Sequence, residues 1–326
     1  MANVLLIGIG ETALSALESL IAECNVQGIV RDVDTASVDD PVVSLAQQAG
    51  IPVFADVSQK YIKSLVLNFK PDCVVVSSYN RILQSELIML SKFVNVHYSP
   101  LPDYRGRANV NWAIINDEPA AAITVHEITT GLDAGNILFQ RLIPIHSNDT
   151  VADVYQQLNQ IQQKQLGKIV IQLLNGGYEG VPQNSAEATY CCSRLPEDGE
   201  IDWSASTRTI YCLIRALVIP FPGAYTYFQG KRLIVWQAKP VDNPLNYVGR
   251  IPGRVIGISK SAGYVDVLTG DGVLRIFEVQ SEGNQRTAAV NVIKSVKSTL
   301  GLRVSDLLER IQSLEQQIAR LKENAG

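Results

Sequence analysis

Asn95 and His97 stand two residues apart in the apolar run FVNVHY, and the loop SPLPDYRGR follows at once. On a strand, that spacing sends both side chains out of one face. The prolines stiffen the loop and Gly106 permits a turn in it. Further along, Thr129-Thr130-Gly131-Leu132-Asp133 reads as a turn between two strands, which brings an acid back toward the histidine. Taken singly, each group has a plain structural reading: a strand histidine packed in a core, an aspartate bonding its own turn, an asparagine satisfying nearby backbone. Together, an amide, an imidazole and a carboxylate beside one stiff basic loop form a candidate acid–base site suited to acyl-type transfer. Of the other histidines, His126 falls in an apolar strand and His146 near a polar turn, and neither has comparable company in the sequence.

The elements that must position these groups alternate along the chain. VLLIGI (4–9), VQGIV (26–30), IPVF (51–54) and DCVVVSS (72–78) are short apolar strands, with helical stretches at 13–23, 41–50 and 58–69 between them. Apolar strands separated by helices predict a parallel sheet covered on both faces. NVHY (95–98) is another such strand, AAITVHEI (121–128) and ILFQRLIPI (137–145) extend the sheet, and a long helix follows over 150–174. In an open sheet of this kind, ligands bind where strands end and loops begin.

The character then changes. The stretch 177–207 is rich in Gly, Pro, Ser and acidic residues and reads as a linker. From Gly223 onward come AYTYF, RLIVWQA, RVIGI, GYVDVL and VLRIFEVQ, with a tight hairpin turn at Gly270-Asp271-Gly272. Short strands at this spacing predict a small open β-barrel. The expected division is 1–176, the linker, 208–302 and a helical tail over 303–326. In that tail Leu307, Ile311, Leu314, Ile318 and Leu321 are spaced four, three, four, three, an a/d stripe, and Ser305 is placed to cap the helix. The stripe wants a partner, either a second copy in a homodimer or the β-domain of its own chain.

Composition bounds the function classes. The 326 residues are 46% apolar and 18% charged, an ordinary globular balance for about two domains. A net charge of -4 argues against a broad nucleic-acid surface. No apolar run approaches the roughly 20 residues of a membrane span, and MANVLLIGIG reads as a first strand rather than a secretory signal. Five cysteines without a CxxC pair predict reduced thiols in a cytoplasmic protein and no metal framework. Gly8-Ile9-Gly10-Glu11-Thr12-Ala13, with Asp32 and Asp34 after the second strand, fits the dinucleotide fingerprint GxGxxA. That signal is weak by itself, because a parallel α/β sheet needs a tight glycine turn at this point.

The middle of the chain is more specific. Asn-x-His-x-Ser-x-Leu-Pro, then Tyr-Arg-Gly-Arg, then Leu-Asp-x-Gly resembles the 10-formyltetrahydrofolate-dependent formyltransferases, strongly over about 90–150. That family includes methionyl-tRNA formyltransferase and glycinamide ribonucleotide transformylase. YRGRANVNW, SRLPEDGEIDW and LIRALVIPFPGAYTYFQGKRLIVWQAKPV are similar to the formyltransferase half of the bifunctional polymyxin-resistance enzyme, which acts on UDP-4-amino-4-deoxy-L-arabinose; this likeness covers most of 1–302.

The resemblance implies a Rossmann-like, parallel-rich catalytic domain and an OB-like C-terminal barrel. It implies a one-carbon transferase with Asn95, His97 and Asp133 as its catalytic set and 10-formyltetrahydrofolate as co-substrate. The folate would lie against Ile82, Leu83, Arg107 and the turn Thr129, Thr130, Gly131, Leu132, Asp133. Tyr104, Arg105 and Asn109 would meet the acceptor, and Asn109 stands where the family usually has proline. The expected acceptor is a small amine, a nucleotide-linked amino sugar. Methionyl-tRNA is the alternative, and a non-catalytic binding module on the same fold is a third reading. Residues 30–45 are acidic and carry no added basic loop for tRNA.

Overall fold

A computed structural model describes residues 1–8, 10, 12–32, 40–79, 81–176 and 179–325, with side chains up to 322. The chain divides into two compact units. One comprises Met1–Ala113, Glu118–Ser147 and Asp153–Ser193; the other comprises Ile114–Asp117, Asn148–Ala152 and Arg194–Gly326.

In the first unit the expected strands and helices form in order: β1 (Asn3–Gly8), α1 (Ala13–Glu23), β2 (Asn25–Val30), α2 (Pro41–Gln48), β3 (Val53–Phe54), α3 (Gln59–Phe69), β4 (Cys73–Ser77), the single turn α4 (Ser85–Ile88) and β5 (Lys92–His97). The two-residue β6 (Arg105–Gly106) and α5 (Asn109–Ile115) precede β7 (Ala120–Glu127), β8 (Ile137–Pro144), α6 (Val151–Leu174) and the short β9 (Tyr190–Cys191). The seven-stranded sheet runs β3-β2-β1-β4-β5-β7-β8. β1 to β5 pair in parallel, whereas β7 is antiparallel to both β5 and β8. The reversal is the part that the apolar pattern does not reveal. It sets Asn95 opposite His126 and His97 opposite Thr124.

The apolar strands bury both faces of the sheet, as their composition requires. Leu5, Ile7, Val74 and Val76 pack with Ile62, Leu65 and Val66 of α3 and with Phe93. Each such side chain contributes roughly 1.5–3 kcal/mol on burial. α6 comes close to α1, where the Gly167 N–H donates to Ser19 Oγ at 3.0 Å. A buried polar net sits between them and the sheet: Tyr98 Oη donates toward Gln162 Oε1 at 2.7 Å, and Gln162 Nε2 donates to Thr12 O at 2.8 Å.

The second unit holds α7 (Thr207–Ala216), β10 (Ala224–Phe228), β11 (Lys231–Pro240), β12 (Val255–Ser259), β13 (Tyr264–Leu268), β14 (Val273–Ser281), β15 (Thr287–Ala288), the turn α8 (Ala289–Val292) and α9 (Val304–Ala325). Its sheet is antiparallel, in the order β10-β11-β14-β13-β12, with β15 on β14. The five strands expected from the sequence are all present. α7 is an addition to them: Ser206 caps it, accepting from the Thr209 N–H at 3.1 Å, and Ile210, Cys212 and Ile214 are buried.

The stretch expected as a linker is built into the units instead. β9 pairs with β6, and Ile201 and Trp203 are buried in the second unit. Ser305 does not cap the tail helix, which already begins at Val304; its hydroxyl points to Asp306 Oδ1 at 3.3 Å. Among the described residues no helix is long and apolar enough to cross a membrane.

Candidate active site

Three segments of the first unit bring the polar cluster together. β5 ends on Asn95 and His97, β7 runs back beside it with His126, and the turn after β7 carries Asp133. Asn95 Nδ2 lies 3.1 Å from His126 Nε2. Asp133 Oδ2 is 3.7 Å from His97 Nδ1, and Asp133 Oδ1 is 3.6 Å from His126 Nε2. The two imidazoles meet edge to face, with centroids 6.1 Å apart.

Backbone carbonyls decide which ring nitrogens carry hydrogen, because a carbonyl only accepts. His97 Nε2 lies 3.0 Å from Tyr104 O, so Nε2 donates there and Nδ1 is turned to the Asp133 carboxylate. His126 Nδ1 lies 2.8 Å from Glu127 O and donates to it. Burial first, and then the neighbouring His97, push the His126 imidazole down to about 4. His126 is therefore neutral near pH 7, and its Nε2 accepts an N–H from Asn95.

The turn that presents Asp133 is held from several sides. Asp133 itself adopts φ +47, a left-handed conformation that aspartate tolerates better than most residues. Its Oδ2 accepts the Gly106 N–H at 2.9 Å. Gln183 Nε2 donates to Asp133 O at 2.8 Å and to Gly135 O at 2.7 Å. Gly135 has no substitute, since a Cβ there would fall 1.9 Å from Glu127 O.

These groups open onto a cavity of about 650 Å³, within the usual range for a small-molecule site. Asn95, His97, His126 and Asp133 line it, together with Ile82, Leu83, Arg107, Asn109 and Thr129 to Leu132. Gln59 pins the Ile82–Leu83 wall, donating to Ile82 O and accepting from the Gln84 N–H, both at 2.7 Å.

Two expected acceptor contacts are absent from the lining. The Tyr104 phenol donates to Glu118 Oε1 at 2.5 Å. Arg105 is buried, with its guanidinium on Gln183 Oε1 at 2.8 Å and beside the Tyr190 hydroxyl at 3.4 Å. Their side chains brace the loop, and the carbonyl of Tyr104 holds His97. Asn109 does line the cavity, and its amide also donates to Tyr104 O, a bond that the family's usual proline lacks a donor to make.

His126 is the residue that the linear pattern misses. Its company is 31 positions away, and only the antiparallel pairing of β5 with β7 reveals it. The available signal was the match of two i, i+2 polar pairs, Asn95/His97 and Thr124/His126, on strands that could be neighbours. Ligand atoms of His97, His126 and Asp133 lie within 4.8 Å of one another, close enough for a divalent ion to bridge. Protein donors already engage His126 Nε2 and Asp133 Oδ2, from Asn95 and Gly106.

The glycine turn after β1 is differently equipped. Arg31 Nη1 donates to Gly8 O at 3.0 Å and Gly10 O at 3.2 Å, and its Nε meets Asp40 Oδ2 at 2.5 Å. A guanidinium thus sits on the fingerprint's carbonyls. Asp34 lies outside the described residues.

Comparison with known proteins turns this architecture into a class. Residues 21–170 match the formyl transferase family, and residues 195–297 match the formyl transferase C-terminal domain. The chain is 36% identical over 251 residues to a methionyl-tRNA formyltransferase of Caldanaerobacter subterraneus subsp. tengcongensis, covering 76% of this chain and 79% of that protein. The N-formyltransferase of Helicobacter canadensis, solved with folinic acid and dTDP-3-aminofucose, shares the fold with a TM-score of 0.66 at 21% identity, over 86% of this chain and 100% of that one. HypX from Aquifex aeolicus shares it with a TM-score of 0.64 at 19% identity over 90% of this chain, which spans about half (49%) of HypX. The protein is an enzyme that transfers formyl groups. The chain belongs to the formyltransferase family.

Proposed function

We propose that the chain transfers the formyl group of 10-formyltetrahydrofolate to the primary amine of a nucleotide-linked amino sugar. The convergence of Asn95, His97 and Asp133 on the floor of one cavity carries this reading. The cavity fits the donor's chemistry: apolar walls at Ile82, Leu83 and Ile128 suit a flat heterocycle, and backbone of 129–133 offers it polar partners. Arg81 and Arg107 both line this space, two guanidiniums available to a carboxylate or a phosphate.

The reaction joins the acceptor nitrogen to the formyl carbon and breaks the bond from that carbon to the folate nitrogen. Negative charge gathers on the formyl oxygen as the amine attacks. Asn95 offers its second amide N–H to that oxygen, and His97, carrying a proton on Nδ1, donates beside it. Asp133 holds that imidazolium and accepts the proton lost by the amine, directly or through water; the folate nitrogen is protonated as it leaves. His126 acts at one remove, as a positioning residue. By accepting one Asn95 N–H, its neutral Nε2 stops the amide from turning its oxygen toward the oxyanion.

A small acceptor suits the net charge of -4 and the acidic segment 30–45, which give polyanionic tRNA little to hold. The H. canadensis N-formyltransferase, solved with a nucleotide amino sugar, supports the same choice. The five free cysteines suit a cytoplasmic enzyme. Methionyl-tRNA is the second reading, because the 36%-identical relative bears that name. Purified enzyme, the folate donor, a panel of nucleotide amino sugars and methionyl-tRNA, with products read by mass spectrometry, test both. Formylation of a sugar amine without tRNA turnover is expected; efficient formylation of methionyl-tRNA alone would overturn the acceptor assignment.

A further inference from the structure

The tail helix α9 exposes what a soluble helix normally hides. Val304, Leu307, Ile311, Leu314, Ile318 and Leu321 form one stripe, and all are between 40 and 72% exposed. The opposite side carries Glu309, Gln312, Gln316 and Arg320. The second unit has its own core in Leu233, Val235, Val265, Val267, Ile276 and Val279, which is buried without help from the stripe. Docking back onto its own chain, one of the two fates that the sequence allows, is not what the structure adopts.

The kinds of residue along the stripe narrow the occupant. With Leu307 at d, the a positions are Val304, Ile311 and Ile318, all β-branched, and the d positions are Leu307, Leu314 and Leu321. β-Branched side chains at a with leucine at d favour two parallel strands over higher assemblies. The flanking charges agree. Arg310 falls at g and Glu315 at the following e, so two parallel copies in register set each Arg310 against Glu315 of the other copy. An antiparallel overlap of the same length opposes Arg310 to Gln317 and Leu308 to Glu315, and forms no such pair.

We infer that α9 pairs with α9 of a second copy of this chain as a parallel, in-register, two-stranded coiled coil. Under three full heptads make a modest seam, so the dimer forms and dissociates with protein concentration. The seam has two kinds of determinant, apolar a/d layers for strength and the Arg310–Glu315 pairs for direction.

Sedimentation of the full-length chain over a concentration series tests the pairing. The wild type is expected to move toward twice the chain mass. Ile311→Lys keeps good helix propensity but puts a charge in the central layer, and should weaken the dimer at least ~10-fold. Arg310→Glu places like charges together and should weaken it several-fold, and Arg310→Glu combined with Glu315→Arg should restore it. A chain that stays monomeric up to roughly 100 µM, or a dimer indifferent to Ile311→Lys, would overturn the inference. Direction has its own readout. In a Cys192→Ser background, Leu307→Cys should oxidise to a covalent dimer, because a parallel register sets position 307 against itself, whereas an antiparallel one sets it opposite Ile318, roughly 16 Å along the axis from its own copy. A persistent dimer that does not cross-link would overturn the parallel arrangement.

Discussion

The polar cluster between β5 and β7 and the apolar stripe on α9 are opposite solutions to the same problem of fixing side chains. In the cluster each group is held by a specific partner, and Asp133 by two. Asp133 is gripped by Gly106 at its carboxylate and by Gln183 at its carbonyl, His97 by Tyr104 O, and His126 by Glu127 O. On α9 the stripe's side chains stay 40–72% exposed, and their meaning lies in their spacing. Chemistry needs groups placed before the substrate arrives, whereas association needs a surface that stays open until a partner comes.

The largest expected effect lies at the cluster. His97→Ala or Asp133→Ala should lower kcat on the order of 10²–10⁴ at saturating donor, with folate binding nearly unchanged. Asp133→Ala, which also loses the Gly106 bond at φ +47, should lower the thermal transition as well. Near-normal turnover in both variants would dissolve the contrast, because the cluster would then be structural.

His126 sharpens the comparison. His126→Leu removes the acceptor that orients Asn95, and is expected to lower kcat roughly 10–10²-fold with little change in KM. His126→Gln, whose Oε1 can accept the same bond, should recover most of that loss. A merely packed histidine would show the reverse order, with leucine the better tolerated.

Gly135→Ala attacks the scaffold rather than the chemistry. With a Cβ 1.9 Å from Glu127 O, the end of β7 must open, at a cost of ~2 kcal/mol or more in stability and with a parallel loss of activity. An unchanged urea midpoint would show that the turn is looser than the cluster requires.

A smaller effect follows from the buried neutral imidazole. An unfolded histidine takes its proton near ~6.5, whereas folded His126 does so only near about 4. Between those values the unfolded state binds more protons. The stabilisation is therefore complete above ~6.5 and is lost as the pH falls toward 4. Unfolding free energies from urea titrations at pH 7 and 5 should differ by roughly 1–2 kcal/mol from this group, and His126→Gln should lose that part of the difference.

The same contrast explains what could be read from the chain. Asn95, His97 and Asp133 were legible because an i, i+2 pair and a glycine turn are local patterns, and the α9 stripe was legible because a heptad is local too. His126 was not, since a strand's direction leaves no mark in its composition and the pairing of β5 with β7 spans the intervening loop. Gln183 and Tyr190 were hidden in a stretch whose glycine and acid content resembles a linker. Their work is done by bonds to Asp133 O and Arg105, far away along the chain. α7 was overlooked because TRTIYCLIRA shows its apolar face only once Ser206 is recognised as the cap. Arg105 was expected to meet the acceptor because the family resemblance places it there, and burial against Gln183 makes it a brace instead.

The most direct measurement is formyl transfer by Asp133→Asn, followed by mass spectrometry at saturating 10-formyltetrahydrofolate and amino-sugar acceptor. The substitution preserves size and replaces a charged carboxylate, able to take a proton, with a neutral amide whose oxygen can still accept a hydrogen bond but cannot take the proton or offer His97 a charge. A donor-dependent formylated amine from the wild type is predicted, with a loss on the order of 10² or more in the variant and donor binding intact. Turnover by the variant within a few-fold of the wild type would contradict the account.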